Sequence, residues 1–192
     1  FAEQFFLTFR AEYLVPAITI MFVVGLKDDM TGISPRNKLI AQLLATTILF
    51  LSTDFQITDL HGFLGIHQIS IWLVMPLSYA VVIFFINAYN LIDGIDGLAA
   101  SLGAFFMMAF GILFYQLKDW ALLSVSLSMV GMFVAFLRYN LSENKKIFMG
   151  DTGSLFVGFL ISTFVIILMG SNYPTKLKHI APANFGVVLI AI

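Results

Sequence analysis

Residues 87–97 read NAYNLIDGIDG, and Asn87, Asn90, Asp93 and Asp96 recur within them at a strict three-residue interval. An apolar run leads into this stretch over residues 70–86 and another leaves it over residues 98–115. On a tight helical turn, side chains three apart lie near one face, so the four oxygen-bearing groups can form a polar strip. Gly94 and Gly97 argue against a continuous regular helix here and let the backbone come close to a ligand. The stretch reads as a polar joint between two membrane spans, suited to an anionic ligand or a metal.

The rest of the composition agrees with a chain in lipid. The 192 residues are 60% hydrophobic and 11% charged, with a mean hydropathy of +0.97; a soluble domain carries roughly a quarter charged residues. A net charge of −1 offers no basic field for nucleic acid. The absence of cysteine excludes disulfides and thiolate metal or redox chemistry.

Outward from the central stretch, apolar runs at 13–26, 39–52, 70–86, 98–115, 120–137 and 155–169 are expected as six spans, with a seventh starting at 185–192. Residues 54–70, which hold Gly62 and Gly65, are expected as a short extracytoplasmic hairpin. The fold expected is an all-α polytopic membrane protein, a transmembrane helix bundle forming a single domain over 1–192. It is read as a piece truncated at both ends.

Topology then groups the acids. Two crossings separate the loop holding Asp28 and Asp29 from residues 87–97, and two more separate those from Asp151. All three segments therefore belong on one side. Lys27, Arg36, Lys38, Arg138, Lys145 and Lys146 lie on that side against Arg10, Lys118, Lys176 and Lys178 on the other, which makes the acidic side cytoplasmic. Five aspartates sharing one mouth would repel one another, and a hard divalent cation relieves this. Mg²⁺ takes one or two carboxylates and completes its shell with water and phosphate oxygens. In MGDTGS, Gly150 and Gly153 flank Asp151 just before a helix, and the N–H groups at such a helix start suit a phosphate. Lys145, Lys146 and Arg36 read as membrane-side anchors.

Three segments taken together carry a resemblance. DDMTGISPRNK (28–38), NAYNLIDGIDGLA (87–99) and FMGDTGS (148–154) are similar, in order and spacing, to the cytoplasmic motif loops of the polyprenyl-phosphate N-acetylhexosamine-1-phosphate transferases. The resemblance runs from about residue 22 to 159. It implies transfer of a sugar 1-phosphate from a UDP-N-acetylhexosamine to a membrane polyprenyl phosphate, with release of UMP, in a bundle of about ten spans. Mg²⁺ is the implied cofactor, with Mn²⁺ as an alternative ion. The implied setting is a bacterial cytoplasmic membrane and the synthesis of a cell-wall, lipopolysaccharide or related polysaccharide. A homodimer is compatible.

Residue by residue, the resemblance makes Asp151 a Mg²⁺ ligand and Asn90 a metal or diphosphate contact. It makes Asp28 and Asp29 an essential pair, either as base or beside the metal. Asp96 and Phe148 fall at the nucleotide base, Lys38 at a phosphate, and Asn140 near the nucleotide. Asn87, Gly150, Gly153 and Ser154 join the substrate-binding set. Asp93 is open between touching substrate and holding the loop. The ISPRNK form of the first motif is closer to the N-acetylglucosamine-1-phosphate branch than to the muramoyl-pentapeptide branch. Direct in-line displacement is favoured over a covalent aspartyl intermediate. The family's later histidine-containing loop is expected beyond the end of this sequence, and His61, His67 and His179, in loops expected outside, cannot substitute for it. A cation-coupled transporter is the rival from another class. A CDP-alcohol phosphotransferase is disfavoured because DGIDGLAASLG has no arginine.

Overall fold

A computed structural model describes residues 11–52, 55–58 and 68–169. Among the described residues six helices follow one another: α1 (Ala11–Thr31), α2 (Pro35–Phe50), α3 (Ile71–Ile92), α4 (Leu98–Leu117), α5 (Trp120–Asn140) and α6 (Gly150–Met169). The expected seventh span, most of the hairpin, and all three histidines lie outside the described residues. At the near ends of the hairpin stretch, the Ile69 N–H donates to the Thr58 carbonyl at 3.1 Å.

Among the described residues, α3, α4, α5 and α6 are long and apolar enough to cross a membrane. α2 has 16 residues and rises roughly 24 Å, short of the roughly 30 Å hydrocarbon core. α1 is long enough, but Glu12 stands near one end and Lys27, Asp28 and Asp29 near the other. The chain is thus an all-α polytopic membrane protein. Six helices stand where six spans were expected, and two of them rest on tertiary packing more than on their own length or apolarity.

Burial separates the roles of these helices. α3 buries Val74, Ser78, Val82, Ile86 and Tyr89, a single stripe at helical spacing, and leaves Trp72, Phe84 and Leu91 exposed. α5 likewise buries only Leu122, Ser126, Phe133 and Asn140. Such one-sided helices leave their other faces exposed. In α6, by contrast, every residue from 157 to 169 is buried. A helix apolar all round and covered all round is the post of the bundle. α1 and α3 pack along it, α2 lies on α1, and α5 pairs with α4.

Close helix contact requires small residues at the crossings. A methyl group added at Gly25 on α1 would stand 2.6 Å from the Asp151 carbonyl oxygen and from Thr152 Cα on α6. One added at Gly158 on α6 would stand 2.8 Å from Ile86 Cα on α3. Phe110 and Phe114 of α4 meet the Phe164 ring of α6 edge-on, with centroids 5.5 and 5.2 Å away. Offset and edge contacts of this kind add to area burial.

Candidate active site

The three motif segments are helix ends more than loops. α1 runs past the apolar stretch to Thr31, so Asp28 and Asp29 lie in its last turn. Hydropathy ends before the helix does: Asp28, Asp29 and Thr31 are weak helix formers, and contacts to Lys38 and to the start of α6 hold this last turn. The Gly32 N–H returns to the Asp28 carbonyl at 2.9 Å, and Asp28 Oδ1 accepts from the Ile33 N–H at 2.6 Å. Ser34 then caps α2 by accepting from the Asn37 N–H, with Pro35 in the first turn. This capped start carries Lys38 back over the end of α1.

The central stretch behaves as its glycines suggest. α3 continues through Asn87 and Asn90 to Ile92, Asp93 is its C-cap, and the chain turns before α4. Gly97 sits at φ +73°, a left-handed conformation that favours glycine. Its N–H donates to Asn140 Oδ1 at 2.6 Å, while Asn140 Nδ2 donates to the Ile147 carbonyl at 2.8 Å. Buried Asn140 therefore spends both ends of its amide on backbone, stapling the start of α4 to the segment before α6. Tyr89 fixes the same turn from below by donating to the Ala99 carbonyl at 2.6 Å.

Asp28, Lys38, Asn90 and Asp151 meet where α1, α2, α3 and α6 end or begin. The Lys38 ammonium pairs with Asp28 Oδ2 and lies 3.1 Å from Asp151 Oδ1. Asn90 Nδ2 donates to that same Asp151 oxygen and, at 2.7 Å, to Ser154 Oγ. Burial opposes ionisation of Asp28, but Lys38 and the Ile33 N–H outweigh it and hold the carboxyl below its ordinary range. Burial likewise works against the Lys38 charge, and the two carboxylates overcome it and raise the lysine.

Asp29 points elsewhere. Its Oδ1 accepts from the Asp151 N–H at 2.8 Å, and its Oδ2 from the Thr152 N–H at 2.9 Å and from the Thr152 hydroxyl. Gly150, at φ +65°, brings the backbone within reach: a methyl group there would lie 2.8 Å from the Asp29 carboxylate. Asp29 is the N-terminal cap of α6, supplied from another helix. Some burial raises its carboxyl, and the Thr152 and Asp151 donors bring it below the ordinary range. The helix-start N–H groups, expected to face a phosphate, thus donate to a carboxylate of the chain itself.

The remaining candidates spread around this centre. Burial, offset in part by the Gly150 N–H and reinforced by the charges of Asp151 and Asp29, pushes Asp93 up to about 6. Asp96 pairs with Lys146, whose ammonium stands 5.3 Å from the centroid of the exposed Phe148 ring. Asn87 lies a turn below Asn90 in a reciprocal amide pair with buried Gln42, at 3.0 and 3.3 Å. The Gly153 N–H bonds the Met149 carbonyl. Thr152 and Gln42 are the partners sequence reasoning passed over, and Lys146, expected as a membrane-side anchor, pairs with Asp96. A lone glutamine in the apolar run LIAQLLATT is a readable signal; Thr152 has none.

The donor set can be tested against a divalent cation. Among the described residues no three acidic, histidine or cysteine side chains form a ready-made cage. Mg²⁺ does not need one, since one or two carboxylates with water and phosphate oxygens suffice. The Asp28 and Asp151 pair is all oxygen, and it already holds a cationic group between its members. The residues fit the ion.

The glycosyl transferase family 4 profile matches residues 12–169, which include all of these groups. A Staphylococcus saprophyticus protein named phospho-N-acetylmuramoyl-pentapeptide-transferase is 36% identical over 155 residues, covering 77% of this chain and 47% of its own length. Its Staphylococcus haemolyticus counterpart is 34% identical with the same coverage. A Bacillus subtilis protein named probable undecaprenyl-phosphate N-acetylglucosaminyl 1-phosphate transferase is 34% identical over 152 residues, covering 79% of this chain and 41% of its own length. The chain spans about half the length of these curated relatives. With the profile spanning five of the six helices completely and α1 from its second residue, this chain belongs to glycosyl transferase family 4.

Proposed function

We propose that the protein of which this chain forms part transfers N-acetylhexosamine 1-phosphate from a UDP-sugar to a polyprenyl phosphate, giving a lipid-diphospho-sugar and UMP. The observation that carries this is the meeting of Asp28, Lys38, Asn90 and Asp151, from four helices, at one end of a membrane bundle. A site at a helix-bundle end admits a lipid phosphate from the membrane and a nucleotide from water, whereas a transporter's acids belong near mid-span. The active face is assigned to the cytoplasm.

Asp151, with Asn90 beside it and Asp28 across from it, would hold Mg²⁺, which when bound neutralises charge on a diphosphate. Lys38 reaches a phosphate oxygen from the start of α2. A lipid phosphate oxygen attacks the β-phosphorus in line and UMP leaves; positioning and electrostatics supply most of the acceleration. A phosphate with a second pKa of about 6 is largely deprotonated at neutral pH, so little demand falls on a base. Asp28, depressed by Lys38, is a weak one, and Asp29 is engaged with α6. Both points favour direct displacement over an aspartyl intermediate. Asp96, Lys146 and Phe148 would meet the nucleotide at the exposed rim.

The ISPRNK motif favours N-acetylglucosamine as the sugar, and the similarity to the staphylococcal proteins supports the muramoyl-pentapeptide alternative. Full-length protein in detergent, with polyprenyl phosphate, Mg²⁺ and either UDP-N-acetylglucosamine or UDP-N-acetylmuramoyl-pentapeptide, separates the two by UMP release. Asp151→Asn is expected to abolish release while inserting normally. No release from any UDP-N-acetylhexosamine would refute the transferase reading, and wild-type rates in Asp151→Asn would remove that residue from the centre.

A further inference from the structure

Lys38 stands between the two carboxylates that suit a divalent cation. Its ammonium contacts Asp28 Oδ2 and approaches Asp151 Oδ1 to 3.1 Å. The three side chains are largely sheltered, at 19% exposure for Lys38, 8% for Asp28 and 30% for Asp151. Two facing carboxylates in such a place repel unless a cation separates them. We infer that Lys38 is a tethered counter-ion: it holds the centre together in the metal-free protein and competes with the divalent cation for the space between Asp28 and Asp151. The inference rests on the reading of that pair as a metal centre.

Two features make displacement feasible. Neutral donors orient both acids independently of the lysine, the Ile33 N–H on Asp28 at 2.6 Å and the Asn90 amide on Asp151. The carboxylates therefore keep their aim when the ammonium leaves. Lys38 itself springs from a helix turn fixed by the Ser34 cap and Pro35, while its long stem can swing the charge aside without moving the backbone. A dication close to an ammonium is repelled, so each occupant excludes the other. Once displaced, the ammonium remains beside the centre, free to take a phosphate oxygen. Metal entry and phosphate capture become one event.

The test uses full-length protein in detergent, stripped with EDTA and titrated with Mn²⁺ alone, with free Mn²⁺ read by electron paramagnetic resonance. Lys38→Met is expected to bind Mn²⁺ about tenfold tighter than wild type, although its unfolding temperature without metal is lower. Lys38→Arg, whose guanidinium forks onto both carboxylates and stays charged, is expected to bind several-fold weaker. Unchanged or weaker binding in Lys38→Met would overturn the inference. If that variant fails to fold, Lys38→Arg decides alone, and affinity equal to or above wild type overturns it. Wild-type protein that binds no Mn²⁺, with Asp151→Asn indistinguishable from it, would overturn the metal reading beneath the inference as well.

Discussion

Replacing Asp29 by alanine removes the cap that α1 supplies to the neighbouring α6. Three donors lose their acceptor: the Asp151 N–H, the Thr152 N–H and the Thr152 hydroxyl. A lost N-cap costs about 1 kcal/mol, and a carboxylate at a helix start adds roughly 0.3–1 kcal/mol through the macrodipole. Asp29 is exposed, so water takes over part of both, leaving a net cost of about 1 kcal/mol. For a chain of this size that lowers the unfolding temperature by roughly 2–4 °C. The effect on turnover is larger, because Asp151 is the second residue of the frayed turn. Misplacing a reacting group by about 1 Å can cost on the order of 100-fold, so turnover in Asp29→Ala is expected to fall about 10- to 100-fold. Asp29→Asn keeps one acceptor oxygen and is expected to lie between. Thermal unfolding in detergent and UMP release, read on the same samples, provide the check. If Asn and Ala variants were equally inactive at wild-type unfolding temperature, Asp29 would be acting on substrate and the capping argument would fail.

Two further outcomes are expected. Gly25→Ala drives a methyl into the Asp151 and Thr152 backbone, so it should destabilise the bundle by about 1–3 kcal/mol and depress turnover; an unfolding temperature equal to wild type would show that α1 can slide to make room. Asp93, at about 6, holds its proton more tightly than an ordinary carboxyl, so its contribution to stability rises as pH falls from above 6 toward 4. Asp28 and Asp29 are shifted the other way, and the stability they confer is lost below about pH 4. The unfolding temperature should therefore peak near about pH 4, and Asp93→Asn should flatten the slope between pH 4 and 6; an unaltered slope would detach it from Asp93.

The helices and their order were legible because apolar runs of span length leave few alternatives in lipid. Their ends were not. Residues 27–31 look like loop by hydropathy yet complete α1, and Asn87 and Asn90 belong to α3 although they read as a joint. Topology called for Asp28, Asp29, Asn90, Asp96 and Asp151 to share one mouth; the structure joins Asp28, Asn90 and Asp151 around Lys38, turns Asp29 onto the start of α6 and leaves Asp96 at the rim with Lys146. Their division of labour depends on partners far apart in sequence. Nothing in DDMTG says that Asp29 will cap a helix 122 positions away while its neighbour pairs with Lys38. Nor does NLIDGIDG reveal that Asn140 will clamp Gly97. These are orientation effects of adjacent side chains on a helix, set by which neighbour each one faces.

The encased post has a consequence for how such a protein is made. α6 is the last of the six helices among the described residues, and it carries Asp151 into a slot that α1 and α3 must first leave open. Until it arrives, Asp28 has no opposing carboxylate, Asn90 lacks its partners on Asp151 and Ser154, and Asp29 has no helix to cap. A chain without α6 in place therefore cannot assemble the centre, and the contacts joining Asp28, Lys38, Asn90 and Asp151 mark a closed bundle.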